Sequence, residues 1–129
     1  MFERVIVTCA VVAGLGLLWL GWHYYKARAM QAIRPVGVST GRPNLLYFTG
    51  PYCAACKYHQ TPIVEAISAK LGDSIAVKQY DVSIHPELTH HYKILTLPTT
   101  IIVNRLGEVT HVNYGVTRQD MLETQLLID

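Results

Sequence analysis

Val5 to Tyr25 is a run of 21 residues without a single Asp, Glu, Lys or Arg, and nothing else in the chain restricts its fold as severely. Up to Trp22 its only polar side chain is Thr8. As a helix the run would be about 31 Å long, close to the thickness of a bilayer's hydrocarbon core. Trp19, Trp22, Tyr24 and Tyr25 gather at its far end, where amphipathic rings favour the headgroup level, and Lys26 and Arg28 stop the span. A cleaved signal peptide would have a shorter apolar region followed by small residues, whereas aromatic and basic residues follow here. A buried helix of a soluble domain is the remaining alternative. An uncleaved anchor accounts best for the pattern. Cys9 lies inside the run with too little apolar sequence before it for lipid attachment, and reads as a small apolar residue.

A length of 129 residues suffices for one domain. Half of the residues are apolar and 16% are charged, which excludes a disordered chain. Charge is unevenly placed. Residues 1–43 carry a net of +4, and residues 44–129 a net of −2. The basicity belongs to the N-terminal segment, which excludes a general nucleic-acid-binding surface as the reading. Lys26, Arg28 and Arg34 outnumber Arg4 and the terminal amine across the apolar run, so the Lys/Arg balance leans towards a cytoplasmic C-terminal part. Three cysteines form at most one disulfide, which excludes a disulfide-built scaffold.

Three regions follow: an anchor over 1–26, a linker over 27–43 and a folded domain over 44–129. The linker holds two prolines, two glycines and Ser39-Thr40, with a short extended piece at Pro35–Val38. Leu45–Thr49 is an apolar and aromatic run bounded by Asn44 and Gly50-Pro51, and reads as a buried strand. From Cys53 the pattern turns helical: Ile63, Ile67 and Leu71 recur one turn apart, and Gly72 ends the run. Pro62 falls inside it and predicts a kink. Ile75–Val82 reads as a strand and Pro86–Tyr92 as a short helix. Thr99–Val103 and Glu108–Tyr114 form a hairpin about Asn104–Gly107. Thr117-x-x-Asp120 resembles a capping box opening a last helix with Leu122, Leu126 and Leu127. The helical crossover makes the first two strands parallel, and the short turn makes the last two antiparallel. The fold class is mixed α/β, with helices on both faces of one sheet.

Cys53-Ala54-Ala55-Cys56 is the one motif that carries chemistry. It follows a strand and opens a helix. A thiolate there meets the positive end of the helix dipole and free N–H groups, which favour the charged, nucleophilic form. A second cysteine three residues on lies one turn away, close enough to displace a mixed disulfide. Cys53 is therefore the candidate nucleophile and Cys56 the candidate resolving thiol. A metal half-site is the competing reading, with His59 as a third ligand. A closed zinc site needs four ligands, and no second C-x-x-C exists. His23, His85, His90, His91 and His111 share no ligand spacing.

Residues 44–129 resemble the thioredoxin family. Leu45 to Lys57 resembles its strand, active-site loop and the lysine after the second cysteine. Tyr80-Asp81-Val82 with His85-Pro86-Glu87-Leu88 resembles its next strand and short helix. Leu97-Pro98-Thr99 resembles its proline loop, Asn104 to Val109 its hairpin turn, and Tyr114-Gly115 the glycine before its last helix. The matches keep the family's order and spacing over about two thirds of the chain.

The resemblance implies a cis Leu97–Pro98 bond beside the cysteines. It also implies substrate binding by Tyr52, Leu97 and Pro98, with the backbone of Leu97 pairing with an extended polypeptide. Tyr47 stands where the family carries a buried acid six residues before the first cysteine. Lys57, Glu65 and a bound water are candidates for that acid's work. Tyr52 replaces the usual Trp, and no His lies between the cysteines, which points to a reducing or intermediate couple. Pro62 falls one position later than in thioredoxin itself, a displacement assigned to the loop. The family's leading strand and helix have no counterpart in 27–43, so the expected fold is the minimal one: a four-stranded mixed sheet flanked by helices, preceded by one transmembrane helix.

The resulting expectation is a membrane-tethered thiol–disulfide oxidoreductase that needs no cofactor. Its partners would be protein disulfide clients, an electron-donating thiol carrier or reductase, and a lipid bilayer through residues 5–25, with no nucleic acid. Anchored bacterial relatives commonly face the extracytoplasmic side, against the Lys/Arg lean. The alternative is a thioredoxin-like copper or zinc chaperone using Cys53, Cys56 and His59. A structural partner without turnover is a third, disfavoured by the intact cysteine pair.

Overall fold

A computed structural model describes residues 1–31 and 33–127. The chain divides into two compact units, Met1–Ala32 and Ile33–Asp129.

The first unit is a single helix, α1 (Phe2–Gln31), of 30 residues. At about 1.5 Å per residue it is long enough to cross a bilayer. By length and composition it could span a membrane, and a signal sequence near an N-terminus meets the same test. Thr8, the lone hydroxyl between Val5 and Trp22, donates to the Arg4 carbonyl at 2.8 Å, so its polar group is satisfied within the helix. Lys26 lies 5.8 Å from the Trp22 ring centroid, and Arg28 lies 5.2 Å from that of Tyr24. The aromatic and basic residues that close the span thus pair with each other.

The second unit is built on a four-stranded sheet in the order β2-β1-β3-β4. The strands are β1 (Asn44–Thr49), β2 (Ala76–Asp81), β3 (Thr99–Val103) and β4 (Val109–Tyr114). β1 pairs parallel with β2 and antiparallel with β3, and β3 pairs antiparallel with β4. The crossover between β1 and β2 contains α2 (Thr61–Leu71), and α3 (Pro86–His91) lies between β2 and β3. The last helix is α4 (Gln119–Leu127).

Because β1 and β3 are buried on both faces, their sequences read as continuous apolar runs rather than as alternation. Leu45, Tyr47 and Ile102 face α2 and α4, where Val64, Ile67, Leu122 and Leu126 close one core. Leu46, Phe48, Ile101 and Val103 face the other way, against Tyr92 and the half-buried Leu88 and Ile94. In the hairpin turn the Asn104 side chain accepts from the N–H groups of Leu106 and Glu108, at 3.0 and 2.9 Å. Gly107, at φ 83°, supplies the left-handed residue that the turn needs.

Two local expectations are corrected. Pro62 does not follow on an ordinary α-helical turn. A π-helical turn, Cys56–Gln60, runs directly into α2, and Pro62 is the second residue of that helix. The residue by which Pro62 is displaced is taken up in this wider helical turn, not in the loop. Thr117 does not form a capping box either. Its hydroxyl bonds back to the Gly115 carbonyl at 3.4 Å, and Asp120 pairs instead with Arg118 at 3.2 Å.

Residues 33–43, read from sequence as part of a linker, are tied to this unit by specific contacts. Ile33 and Val38 pack on the second core. The Tyr92 hydroxyl accepts from the Val36 N–H at 2.7 Å, and His91 meets the Arg34 carbonyl at 2.6 Å. Lys78 donates to the Gly37 carbonyl. The buried Asn44 side chain holds both the N–H and the carbonyl of Ser39. Tyr92→Phe keeps the ring against Phe48 but removes the hydroxyl that holds Val36. The substitution is expected to lower stability by about 1 kcal/mol in urea unfolding. Limited proteolysis should then cut first within residues 33–40.

Candidate active site

The end of β1 delivers the chain into the turn Gly50-Pro51-Tyr52-Cys53, closed by the Cys53 N–H donating to the Gly50 carbonyl at 3.3 Å. The helical path begins at the next residue, and the Lys57 N–H donates to the Cys53 carbonyl at 3.1 Å. Cys53 therefore stands at the cap of a helix, among N–H groups that lack intrahelical partners. One of these, on Cys56, points at the Cys53 Sγ from 3.1 Å.

Cys53 and Cys56 form a disulfide with their Cα atoms 5.2 Å apart. The two sulfurs are not equivalent. Cys53 is half-buried and lines a surface cavity, whereas Cys56 has no exposed surface. The cavity, of about 520 Å³, is walled by Gly50, Pro51, Tyr52, Cys53, Val82, Ser83 and Leu97. Gly50 permits this shape: a Cβ there would lie 2.9 Å from the Leu97 Cδ1. Tyr52 is 99% exposed and projects from the rim. The Leu97–Pro98 peptide bond is cis. Pro98 is buried, and its carbonyl accepts from the Gly115 N–H at 2.9 Å.

The wall formed by Val82 and Ser83 is held by Asp81, which accepts from the Ser83 hydroxyl and from the Ser83 N–H at 2.8 Å. These bonds, the hydroxyl's first, hold the Asp81 carboxyl below its ordinary range.

Behind the disulfide the surroundings are neutral. Tyr47, fully buried, donates its hydroxyl to the Cys56 carbonyl at 3.3 Å and lies 2.9 Å from the Thr61 Oγ1. Gln60, also fully buried, grips Thr117 twice. Its Nε2 donates to the Thr117 carbonyl at 3.2 Å, and its Oε1 accepts from the Thr117 N–H at 2.8 Å. Gln60, Thr61 and Thr117 carried no signal as site residues in the sequence. The only hint was the extra position between Cys56 and Pro62. Lys57 and Glu65, considered from sequence as substitutes for the family's acid, are both exposed, and Lys57 lies over the Tyr58 ring at 5.4 Å.

The structure thus brings Tyr52, Cys53 and Leu97 together around one cavity and sets Cys56 behind them. His59 is exposed on the π-helical turn. Among the described residues, no group of three or more His, Cys, Asp or Glu side chains is arranged to hold a metal ion.

Comparison with known proteins agrees with this architecture. The sequence profile of the family described as Thioredoxin matches residues 36–127. Thioredoxin Y, chloroplastic, from Oryza sativa subsp. japonica is 33% identical over 85 residues, which are 66% of this chain and 49% of that protein. The chain thus spans about half the length of that relative. Thioredoxin from Bacillus subtilis (strain 168) is 26% identical over 76 residues, 59% of this chain and 71% of that one. Among solved structures, Fasciola hepatica thioredoxin superposes with a TM-score of 0.60 at 22% identity, covering 67% of this chain and 80% of that one. That structural likeness concerns the fold. With the family profile matched over most of the chain, and with the sheet, the cysteine pair and the proline loop in the places described, the chain belongs to the thioredoxin family.

Proposed function

We propose that this protein is a membrane-tethered thiol–disulfide oxidoreductase that reduces disulfides in client polypeptides through Cys53 and Cys56. The observation that carries the reading is the unequal burial of the disulfide's two sulfurs: one lines an apolar-walled cavity, and the other lies fully inside the core. Only the first can meet a macromolecular disulfide, and only the second is shielded from it.

In the reduced protein, Cys53 is the nucleophile. Its place at the helix cap and the Cys56 N–H aimed at its Sγ both support the thiolate. The thiolate attacks a client disulfide, forms a mixed disulfide and releases the client's other sulfur. Cys56 then attacks Cys53, closes the protein disulfide and frees the second client sulfur. Each turnover leaves the client reduced and this protein oxidised, so a thiol carrier or reductase must return the pair to the dithiol form. No cofactor takes part in either exchange.

Tyr52, Leu97 and Pro98 are the proposed substrate-binding residues. The rim ring of Tyr52 and the side chain of Leu97 offer apolar surface on either side of the reactive sulfur. Leu97, just before the cis proline, presents backbone to an extended client segment.

The proposed organisation is an anchor over 1–26, a connecting segment over 27–43 and the redox domain over 44–129. The apolar length of α1 and its aromatic and basic closing residues support the anchor. A tether of this kind confines the site to clients and electron donors at the membrane.

Two measurements test the reading. In an insulin-disulfide reduction assay, Cys53→Ser is expected to abolish turnover, whereas Cys56→Ser should accumulate mixed disulfides visible on non-reducing gels. Full activity in Cys53→Ser would refute the assignment. After an alkaline carbonate wash, the full chain is expected in the membrane pellet, and a chain lacking residues 1–31 in the supernatant. Full-length protein in the supernatant would remove the tether from the proposal.

A further inference from the structure

Cys56 sits in a turn that an ordinary α-helix would not make. The Thr61 N–H donates to the Cys56 carbonyl, a bond spanning five residues instead of four. Such a turn is one residue wider than the α-helical one and is rarely adopted without support from elsewhere. Here the support comes from the sheet. The Tyr47 hydroxyl donates to the same carbonyl at 3.3 Å, so both of its lone pairs are engaged. Since the single phenolic proton is used there, the Thr61 hydroxyl is the donor across the 2.9 Å contact to Tyr47. Tyr47 itself is fully buried in β1, which is paired on both edges.

We infer that Tyr47 is a positioning residue for the resolving thiol: its hydroxyl clamps the Cys56 carbonyl in the π-helical turn, so that the Cys56 sulfur is held ready for Cys53. The inference rests on the oxidoreductase reading above and assigns a role within it. Tyr47 does not touch the reacting sulfurs through its hydroxyl and need not exchange a proton. Cys56 loses its proton to water, its thiolate attacks the Cys53 sulfur of the mixed disulfide, and the Cys53–Cys56 bond forms. The bond between Cys53 and the client breaks, and the client's thiolate leaves and takes up a proton from water. This intramolecular step depends most on how well Cys56 is placed, because the Cys56 sulfur itself must reach Cys53. The earlier attack by Cys53 depends on it less: the Cys53 backbone is held by Gly50, and Cys56 contributes there only its N–H.

The test separates the two steps with a symmetric chromogenic aryl disulfide. One coloured thiolate is released when Cys53 attacks, at a rate that rises with reagent concentration. The second is released when Cys56 resolves, at a rate that does not. The full chain is used in detergent with Cys9→Ala, because Cys9 is an exposed free thiol that would also react. Tyr47→Phe keeps the ring and removes the clamp. The second release is expected to slow about fivefold, as loss of one hydrogen bond of about 1 kcal/mol predicts, with the first release slowed by a clearly smaller factor. Thr61→Val, which keeps the clamp but removes the hydroxyl's orienting partner, should slow the same phase by a smaller factor. If Tyr47→Phe does not fold, Thr61→Val decides alone. An unchanged second release, or equal slowing of both releases with a lowered unfolding midpoint, would overturn the positioning role. A parent protein that releases only the first thiolate would instead refute the oxidoreductase reading itself.

Discussion

Burial of β1 on both faces is the condition from which the rest of the domain follows. Leu45, Leu46, Tyr47 and Phe48 are all without exposed surface, and they alternate between the two cores. A strand in that position must satisfy its backbone on both edges, which pairing with β2 and β3 does. Its end is then fixed in space, and the four residues Gly50 to Cys53 that follow inherit that position. The placement of the reactive sulfur is thus a consequence of core packing. A tyrosine at the third of the four buried positions adds a requirement that a phenylalanine would not. Its hydroxyl is inside the protein and must find a partner there. The Cys56 carbonyl and Thr61 meet that need, which ties the helix bearing the second cysteine to the strand that leads to the first.

The parts of this fold that could be read from sequence are those set by local pattern. Leu45–Thr49 and Thr99–Val103 are unbroken apolar or β-branched runs, and the observed strands fall within a residue of them. Asn104 and Gly107 mark the hairpin because each meets a local backbone need. The cysteine pair stands out because two thiols one helical turn apart at a helix start have few ordinary uses. What stayed hidden depends on partners far away in the chain. Residues 33–43 have the composition of a tether, and are held by Tyr92, His91 and Lys78, more than forty positions later. Thr117-Val116-Gly115 reads as the approach to a cap, yet Gln60 claims the Thr117 backbone from the other end of the domain. Pro62 signalled a disruption, but whether a loop, a kink or a wider turn absorbs the extra residue is decided by what can stabilise that turn, and Tyr47 lies outside any local window.

The neutral setting of the inner sulfur gives the exchange its direction of control. Every buried polar side chain among the described residues is an amide or a hydroxyl, and none is a carboxylate or a cation. Charge could enter this core only at a desolvation penalty with no opposite charge to offset it. Under the proposed mechanism the resolving step depends on geometry more than on electrostatic assistance, and two hydrogen-bonded contacts lie on either side of the turn. Tyr47 holds Cys56 from the sheet, and Gln60 holds the loop that follows β4. Loosening either contact is a different perturbation from removing a sulfur, since the chemistry remains possible but its approach becomes less well defined.

The cavity restricts the kind of client in the same physical terms. Pro51, the Tyr52 ring, Val82 and Leu97 offer apolar surface around Cys53, and the Ser83 hydroxyl in the wall is already engaged with Asp81. No side-chain charge lines this site. On the proposed function, selection by charge is weak at the point of contact, and a client would gain most by laying apolar surface beside its disulfide while its backbone follows the Leu97 edge. An interface confined to this cavity would be small, and small interfaces bind weakly unless the partners are held near one another. Under the proposed anchor, confinement to the membrane surface would supply that proximity as a raised effective concentration, without any added contact at the site. A weak, permissive groove and a tether are in this sense complementary: the first keeps release of the product fast, and the second restores the encounter rate that weak binding alone would forfeit.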